Sequence, residues 1–178
     1  MNKSYLYLCR HPNVEPNIGE EIQGLKRRNV APIISVGKIY VGLNGQPSVK
    51  ANLDIRMVTD LLTRFSEIDR DIYIFTGDND FIYPVEIYNY VNKNLCRFLY
   101  WPLHCSKDIS TGKTYYNREY IPLLCPYDKL DTLTKYSKHY CVLIDGNNIL
   151  GRINNNYKEL VNIIHHSLDK LDLIYQPE

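Results

Sequence analysis

The sequence predicts one α/β domain built on a mostly parallel sheet with helices on both faces. Three observations carry this. The runs Asp71–Phe75 (DIYIF) and Tyr140–Ile144 (YCVLI) lack polar alternation, as expected of strands covered on both faces. Short strand-like runs alternate with amphipathic stretches, the pattern of a sheet crossed by helices. The 178 residues, 44% hydrophobic and 23% charged, suit a single core, and no repeat or long linker divides them.

Taken in order, Ser4–Cys9 (SYLYLC) predicts a strand, followed by a Pro/Asn loop over His11–Asn17. Ile18–Arg28 predicts a helix that opens acidic and closes basic, complementing the helix dipole. Pro32–Val36 predicts a buried strand. Lys38–Leu43 and Ser48–Ala51 flank Asn44-Gly45-Gln46-Pro47, a turn signal that predicts a hairpin. Leu53–Phe65 is the most regular helical stretch. After strand Asp71–Phe75, Pro84–Asn92 predicts a helix with its proline in the first turn, where the missing N–H costs nothing. Leu95–Trp101 predicts a strand, and His104–Tyr120 a polar, irregular flap. Ile121–Leu124 and Tyr127–Thr132 predict short elements. Tyr140–Ile144 is expected inside the sheet, between Asp71–Phe75 and Ser4–Cys9, because an edge position would expose its apolar run. One helix, Asn156–Leu171, closes the chain.

With 21 basic and 20 acidic residues the net charge is +1, so bulk attraction cannot dominate nucleic-acid binding and a local patch is required. No run approaches the roughly 18 apolar residues of a membrane span, and no membrane partner is expected. The first ten residues lack a signal-peptide pattern and read as mature chain. Five scattered cysteines (Cys9, Cys96, Cys105, Cys125, Cys141) without a Cys-x-x-Cys pair predict reduced thiols and a cytoplasmic protein.

Three acidic clusters could carry chemistry. Thr76-Gly77-Asp78-Asn79-Asp80 follows strand DIYIF, and Asp145-Gly146-Asn147-Asn148 follows strand YCVLI. Both deliver carboxylates to the carboxyl edge of a parallel sheet, where open α/β folds place their sites. Taken alone, Asp145-Gly146-Asn147-Asn148 has a plain reading as a turn, and Thr76-Gly77-Asp78-Asn79-Asp80 as a cap of the next helix. The third acid is Asp54. At about 100° per residue it falls among Met57, Val58, Leu61 and Phe65, which predicts a carboxylate on the sheet-facing stripe of its helix. Asp60 falls off that stripe and reads as a solvated charge. Carboxylates gathered at one edge repel unless something positive sits among them, and oxygen ligands suit Mg²⁺ or Mn²⁺. No histidine lies in any of the three clusters. Ser110-Thr-Gly-Lys-Thr114 ends like a phosphate loop but lacks its first glycine and its preceding strand.

Lys50-Ala-Asn-Leu-Asp54-Ile-Arg-Met-Val-Thr-Asp60 and Ile74-Phe-Thr-Gly-Asp78-Asn-Asp80-Phe81, with Pro84 beyond, resemble the central and distal motifs of NYN domains in the PIN-like ribonuclease superfamily. Val142-Leu-Ile-Asp145-Gly-Asn-Asn148-Ile resembles the motif that opens such domains. The resemblance implies a Rossmann-like PIN fold and a metal-dependent endoribonuclease. Asp54, Asp78, Asp80 and Asp145 would bind Mg²⁺ or Mn²⁺ and carry catalysis. Asn148, Lys50 and Thr76 would be auxiliary or substrate-binding. Lys113 and Arg118, beside Tyr115-Tyr116, are expected to touch RNA whose unpaired bases stack on tyrosine.

One feature departs from that family, in which the Asp-Gly-Asn-Asn strand comes first. Here it comes last, and residues 138–178 supply the strand and helix that normally open the domain. The order implies a circular permutation within a single domain of residues 1–178, or a homodimer that swaps Tyr140–Glu178. The expected substrate is single-stranded or loop RNA. The competing expectation is a non-catalytic RNA- or protein-binding module that keeps the fold.

Overall fold

The computed structural model describes residues 2–13, 20, 22–66, 68–92, 94–100, 107–111, 123–124 and 139–175. The strands are β1 (Lys3–Arg10), β2 (Val30–Val36), β3 (Lys38–Val41), β4 (Pro47–Lys50), β5 (Asp71–Phe75), β6 (Cys96–Leu99), β7 (Leu123–Leu124) and β8 (Tyr140–Asp145). The helices are α1 (Gln23–Lys26), α2 (Leu53–Leu62), α3 (Ile82–Val91), α4 (Lys107–Thr111), α5 (Gly146–Arg152) and α6 (Tyr157–Ile174), with one 3₁₀ turn at Asn79–Phe81.

Six strands form one sheet in the order β2-β1-β8-β5-β6-β7, with parallel pairings throughout. Counting from β8, this is the 3-2-1-4-5-6 order of doubly wound α/β sheets. The expected interior place of Tyr140–Ile144 is found: β8 pairs with β1 through Tyr5↔Leu143 and with β5 through Tyr73↔Val142, all in this chain.

Strand periodicity divides the core into two layers. Leu6, Leu8, Tyr73, Phe75, Val142 and Ile144 point to one face, where α6 packs through Leu160, Ile164, Leu168 and Leu171. Tyr5, Tyr7, Ile72, Ile74, Cys141 and Leu143 point to the other, against Leu53, Met57 and Leu61 of α2 and Val85 of α3. Both faces of β1, β5 and β8 are thereby covered, which is why their sequences carry no polar alternation.

Several elements differ from expectation. After buried Val30, β2 alternates between half-buried and exposed residues because it is an edge strand rather than a buried one. Within Ile18–Arg28 the described residues are helical at Glu20 and over Gln23–Lys26, and Asn29, at φ 56°, follows in a left-handed conformation. Of the basic residues at this end of α1, Arg28 forms ion pairs with Asp169 and Asp172 of α6. Lys107–Thr111 is helical, so that part of the expected irregular flap is ordered; residues 104–106, 112–120 and 127–132 lie outside the described residues. The antiparallel β3–β4 hairpin forms as expected around Gly45, at φ 71°. Two helices follow β8, not one, because α5 begins directly after Asp145. No helix among the described residues is long and apolar enough to cross a membrane.

Candidate functional site

The carboxyl ends of β5 and β8 meet at the middle of the sheet, where the helices that follow the two strands pack on opposite faces, the position at which doubly wound folds open a crevice. β8 ends in Asp145, whose Oδ1 accepts the N–H of Asn148 at 3.1 Å and so caps α5. Its Oδ2 accepts the hydroxyl of Thr76, at the end of β5, at 2.8 Å. Thr76 Oγ1 in turn accepts the N–H of Asp78 at 3.2 Å, and Asp78 Oδ1 accepts the N–H of Asp80 at 3.0 Å. The Asn148 side chain closes the ring by accepting the Gly77 N–H at 3.0 Å. A continuous hydrogen-bond circuit thus fixes one cluster against the other. Asp78 takes the capping role that its motif suggests in isolation, whereas Asp145, in a motif that reads alone as a turn, caps a helix as well.

Capping does not use up these carboxylates, since each has about four acceptor positions. Asp145 is only 5% exposed. Burial, first of all, pushes its pKa up to about 6; the charges of Asp54 and Asp78 push the same way, against the Asn148 N–H and the Thr76 hydroxyl. Asp54 and Asp78 therefore stand near enough for their charge to hinder ionisation of Asp145. No ion pair among the described residues joins a cation to Asp54, Asp78, Asp80 or Asp145.

Asp54 requires a correction. It is exposed, and the buried stripe of α2 is Leu53, Met57 and Leu61. The helix stops at Leu62, so Phe65 lies beyond it and cannot define its face. Centred on Met57, the stripe leaves Asp54 on its flank, where it lines a cavity of about 300 Å³ with Asp80 and Phe81. Asp60 also differs from expectation: it is half-buried and accepts the Tyr7 hydroxyl at 2.7 Å, tying α2 to β1. Asp80 is exposed and Asp78 half-buried.

Thr76 is 1% exposed and its hydroxyl is engaged on both sides, so it positions Asp145 and the Asp78 turn rather than facing a substrate. Lys50 stands exposed at the end of β4, across from Lys38. Lys113 and Arg118 lie outside the described residues. Asn147, which sequence reasoning passed over, matters as much as Asn148: its Oδ1 accepts the Cys9 N–H at 2.9 Å, tying α5 to the end of β1. The adjacent asparagines anchor α5 to opposite neighbours of β8; the signal was their tandem placement after a glycine. That Gly146 is required by space, since a Cβ would lie 2.5 Å from Leu8 Cδ2 and 2.7 Å from the Tyr7 carbonyl oxygen.

The donor set is all oxygen and suits a hard divalent cation. Among the described residues, however, no three His, Cys, Asp or Glu side chains converge as ligands of one ion. Asp54 and Asp80, being exposed, are not held in their rotamers by packing. Comparison with family models, with curated proteins and with solved structures finds no match to this chain.

Proposed function

We propose that the chain is a metal-dependent endoribonuclease of the NYN, PIN-like kind, using Asp54, Asp78, Asp80 and Asp145 with Mg²⁺ or Mn²⁺ to hydrolyse RNA phosphodiesters. The observation that carries this reading is the buried Asp145, hydrogen-bonded from two sides, facing other carboxylates and forming no ion pair among the described residues. A buried carboxylate in that setting costs stability, and a cation is what would offset it. The strand order, with C-terminal β8 at the central position, supports the permuted arrangement that the motif order implies.

A bound divalent cation would supply a water of lowered pKa and neutralise charge on the phosphate. The chain's own contribution is to hold the acids. Thr76 and the Asn148 N–H keep Asp145 oriented, and the Asn148 side chain keeps the Gly77–Asp78 turn against it. Asp54 and Asp80, on the cavity wall, would turn toward the ion.

The reading of a non-catalytic RNA-binding module also has an observation in its favour: Asp145 and Asp78 both act as caps, and the acids do not converge as ligands. A time course on a labelled RNA hairpin in Mn²⁺ or Mg²⁺, with chelator as the blank, separates the two. Endonucleolytic products that need the metal support the nuclease. Tight binding with no product in either metal supports the module.

A further inference from the structure

A second cavity, of about 460 Å³, opens beside the acid edge at the end of β1. It lies within the roughly 300–1,000 Å³ range of small-molecule sites. Cys9 and His11 come from β1 and the turn after it, Asn147 and Leu150 from α5, Asn155 and Tyr157 from the start of α6, and Val49 from the hairpin. The hairpin is brought there by Gly37, whose N–H donates to the Arg10 carbonyl at 2.8 Å. A Cβ on Gly37 would lie 2.2 Å from Val49 Cγ1 and 2.8 Å from Cys9 Sγ, so only glycine allows this approach.

The lining has a distinct chemistry. Among the described residues it holds no carboxylate, ammonium or guanidinium group. It offers two carboxamides and an imidazole as donors and acceptors, one phenol ring, and apolar ground from Val49 and Leu150. His11 Nδ1 accepts the Asn13 N–H at 3.1 Å, which leaves Nε2 to carry the proton and donate. Asn155 is held at φ 57°, next to Asn154 at φ 54°, two consecutive left-handed residues that bring its amide to the cavity. Uncharged, amide-rich and partly aromatic surroundings suit a planar, neutral heterocycle with its own donors and acceptors. They offer no fixed positive charge for a phosphate and no carboxylate for a hard cation.

Asn147 and Asn148 link this cavity to the acid edge, the first bonded to Cys9 and the second to Gly77. The cavity and the acid edge thus meet at the same two residues at the start of α5. We infer that the cavity between Cys9, His11, Asn147, Asn155 and Tyr157 binds one unpaired nucleobase of the RNA, setting which linkage meets the acids. The inference deepens the nuclease reading and rests on it for its biological sense; its test requires no cleavage.

The experiment is an NMR titration of the full chain, in chelator, with each of the four ribonucleosides and with ribose 5-phosphate. At least one nucleoside should shift the His11 imidazole and Asn155 side-chain amide resonances saturably, while ribose 5-phosphate leaves them in place. Asn155→Gly tolerates the left-handed backbone and removes one hydrogen-bonding group, so it should weaken that nucleoside up to about tenfold; His11→Ala should weaken it similarly. Asp78→Asn, which the nuclease reading requires to be inactive, should bind the nucleoside as wild type does. Absence of saturable shifts with all four nucleosides, or equal shifts with ribose 5-phosphate, overturns the base site. Cleavage without nucleoside binding overturns the base site alone, whereas nucleoside binding without cleavage overturns only the nuclease reading.

Discussion

Asp71 and Asp145 are equally buried, 5% exposed each, on neighbouring strands and at opposite edges of the sheet, yet among the described residues only Asp71 has a cation, Arg97 Nη1 at 3.3 Å. Asp71 Oδ2 also accepts the Tyr175 hydroxyl at 2.8 Å, and Tyr175 is bonded to the Tyr73 hydroxyl at 2.6 Å. With its proton given to Asp71, Tyr175 accepts from Tyr73. One buried acid is thus neutralised inside the fold. The other is kept at the carboxyl edge with neutral donors and acidic neighbours.

That difference predicts a pH dependence. Burial holds Asp145 protonated up to about pH 6, whereas the same group in the unfolded chain titrates near 3.8. Between those values the fold binds a proton that the unfolded chain has released. The stability this lends is complete below pH 3.8 and is lost as pH rises through about 6. Asn can still cap α5 but cannot ionise. In metal-free buffer, Asp145→Asn should therefore gain on wild type by about 3 kcal/mol between pH 3.5 and 8. Denaturant unfolding of both proteins across that range checks it; parallel pH curves would contradict it.

Thr76→Val keeps volume but removes the donor to Asp145 and the acceptor for the Asp78 N–H. Leaving buried polar groups unsatisfied costs about 1–3 kcal/mol, which for a chain of this size lowers Tm by roughly 2–4 °C per kcal/mol. The deficit should be larger at pH 8 than at pH 4.5, because Asp145 is then ionised and needs the donor more. Calorimetry at the two pH values measures both statements.

Gly146→Ala places a methyl against the Tyr7 carbonyl oxygen as well as Leu8, and backbone cannot move as a side chain can. Overpacking of this kind costs about 1–3 kcal/mol. The variant should melt several degrees lower, with α5 displaced from β1. An unchanged Tm would contradict a close contact between α5 and the β1 backbone.

Mn²⁺ should stabilise the native state by mass action. At about ten times its Kd the gain is about 1.4 kcal/mol. Asp78→Asn should remove most of that rise in Tm. Asp69→Asn is the control: Asp69 is exposed, just before the amino end of β5 and away from the acid edge. Asp60 cannot serve, because it accepts the Tyr7 hydroxyl. A melting curve indifferent to Mn²⁺ would leave the acids without an ion.

The interior strands were legible in the sequence because covering both faces of β5 and β8 removes alternation, a purely local mark. The hairpin was legible from its Asn-Gly turn, and α6 from its 3.6-residue period. What the pattern could not disclose depended on contacts distant in sequence. Residues 145–148 have turn composition, and they start a helix because Asp145 caps it and Gly146 lets it touch β1. Asp54 was misplaced because the wheel weighted Val58 and Phe65, whereas helix length and the packing of Leu53 set the real stripe. The Tyr7–Asp60 bond spans 53 residues, and no periodicity announces it. The carboxyl-edge position of Asp78 and Asp145, by contrast, followed from strand polarity alone.

The most direct test of the central claim is the single-turnover rate of RNA hairpin cleavage in Mn²⁺ for wild type, Asp78→Asn, Asp145→Asn and the double variant. Each substitution keeps volume and deletes one charge. If the acids work as one metal-holding unit, each single variant should lose nearly all activity and the double should be little worse than either, as groups acting together behave. Cleavage that persists in Asp78→Asn or in chelator, or losses in the two single variants that simply multiply in the double, would contradict the account.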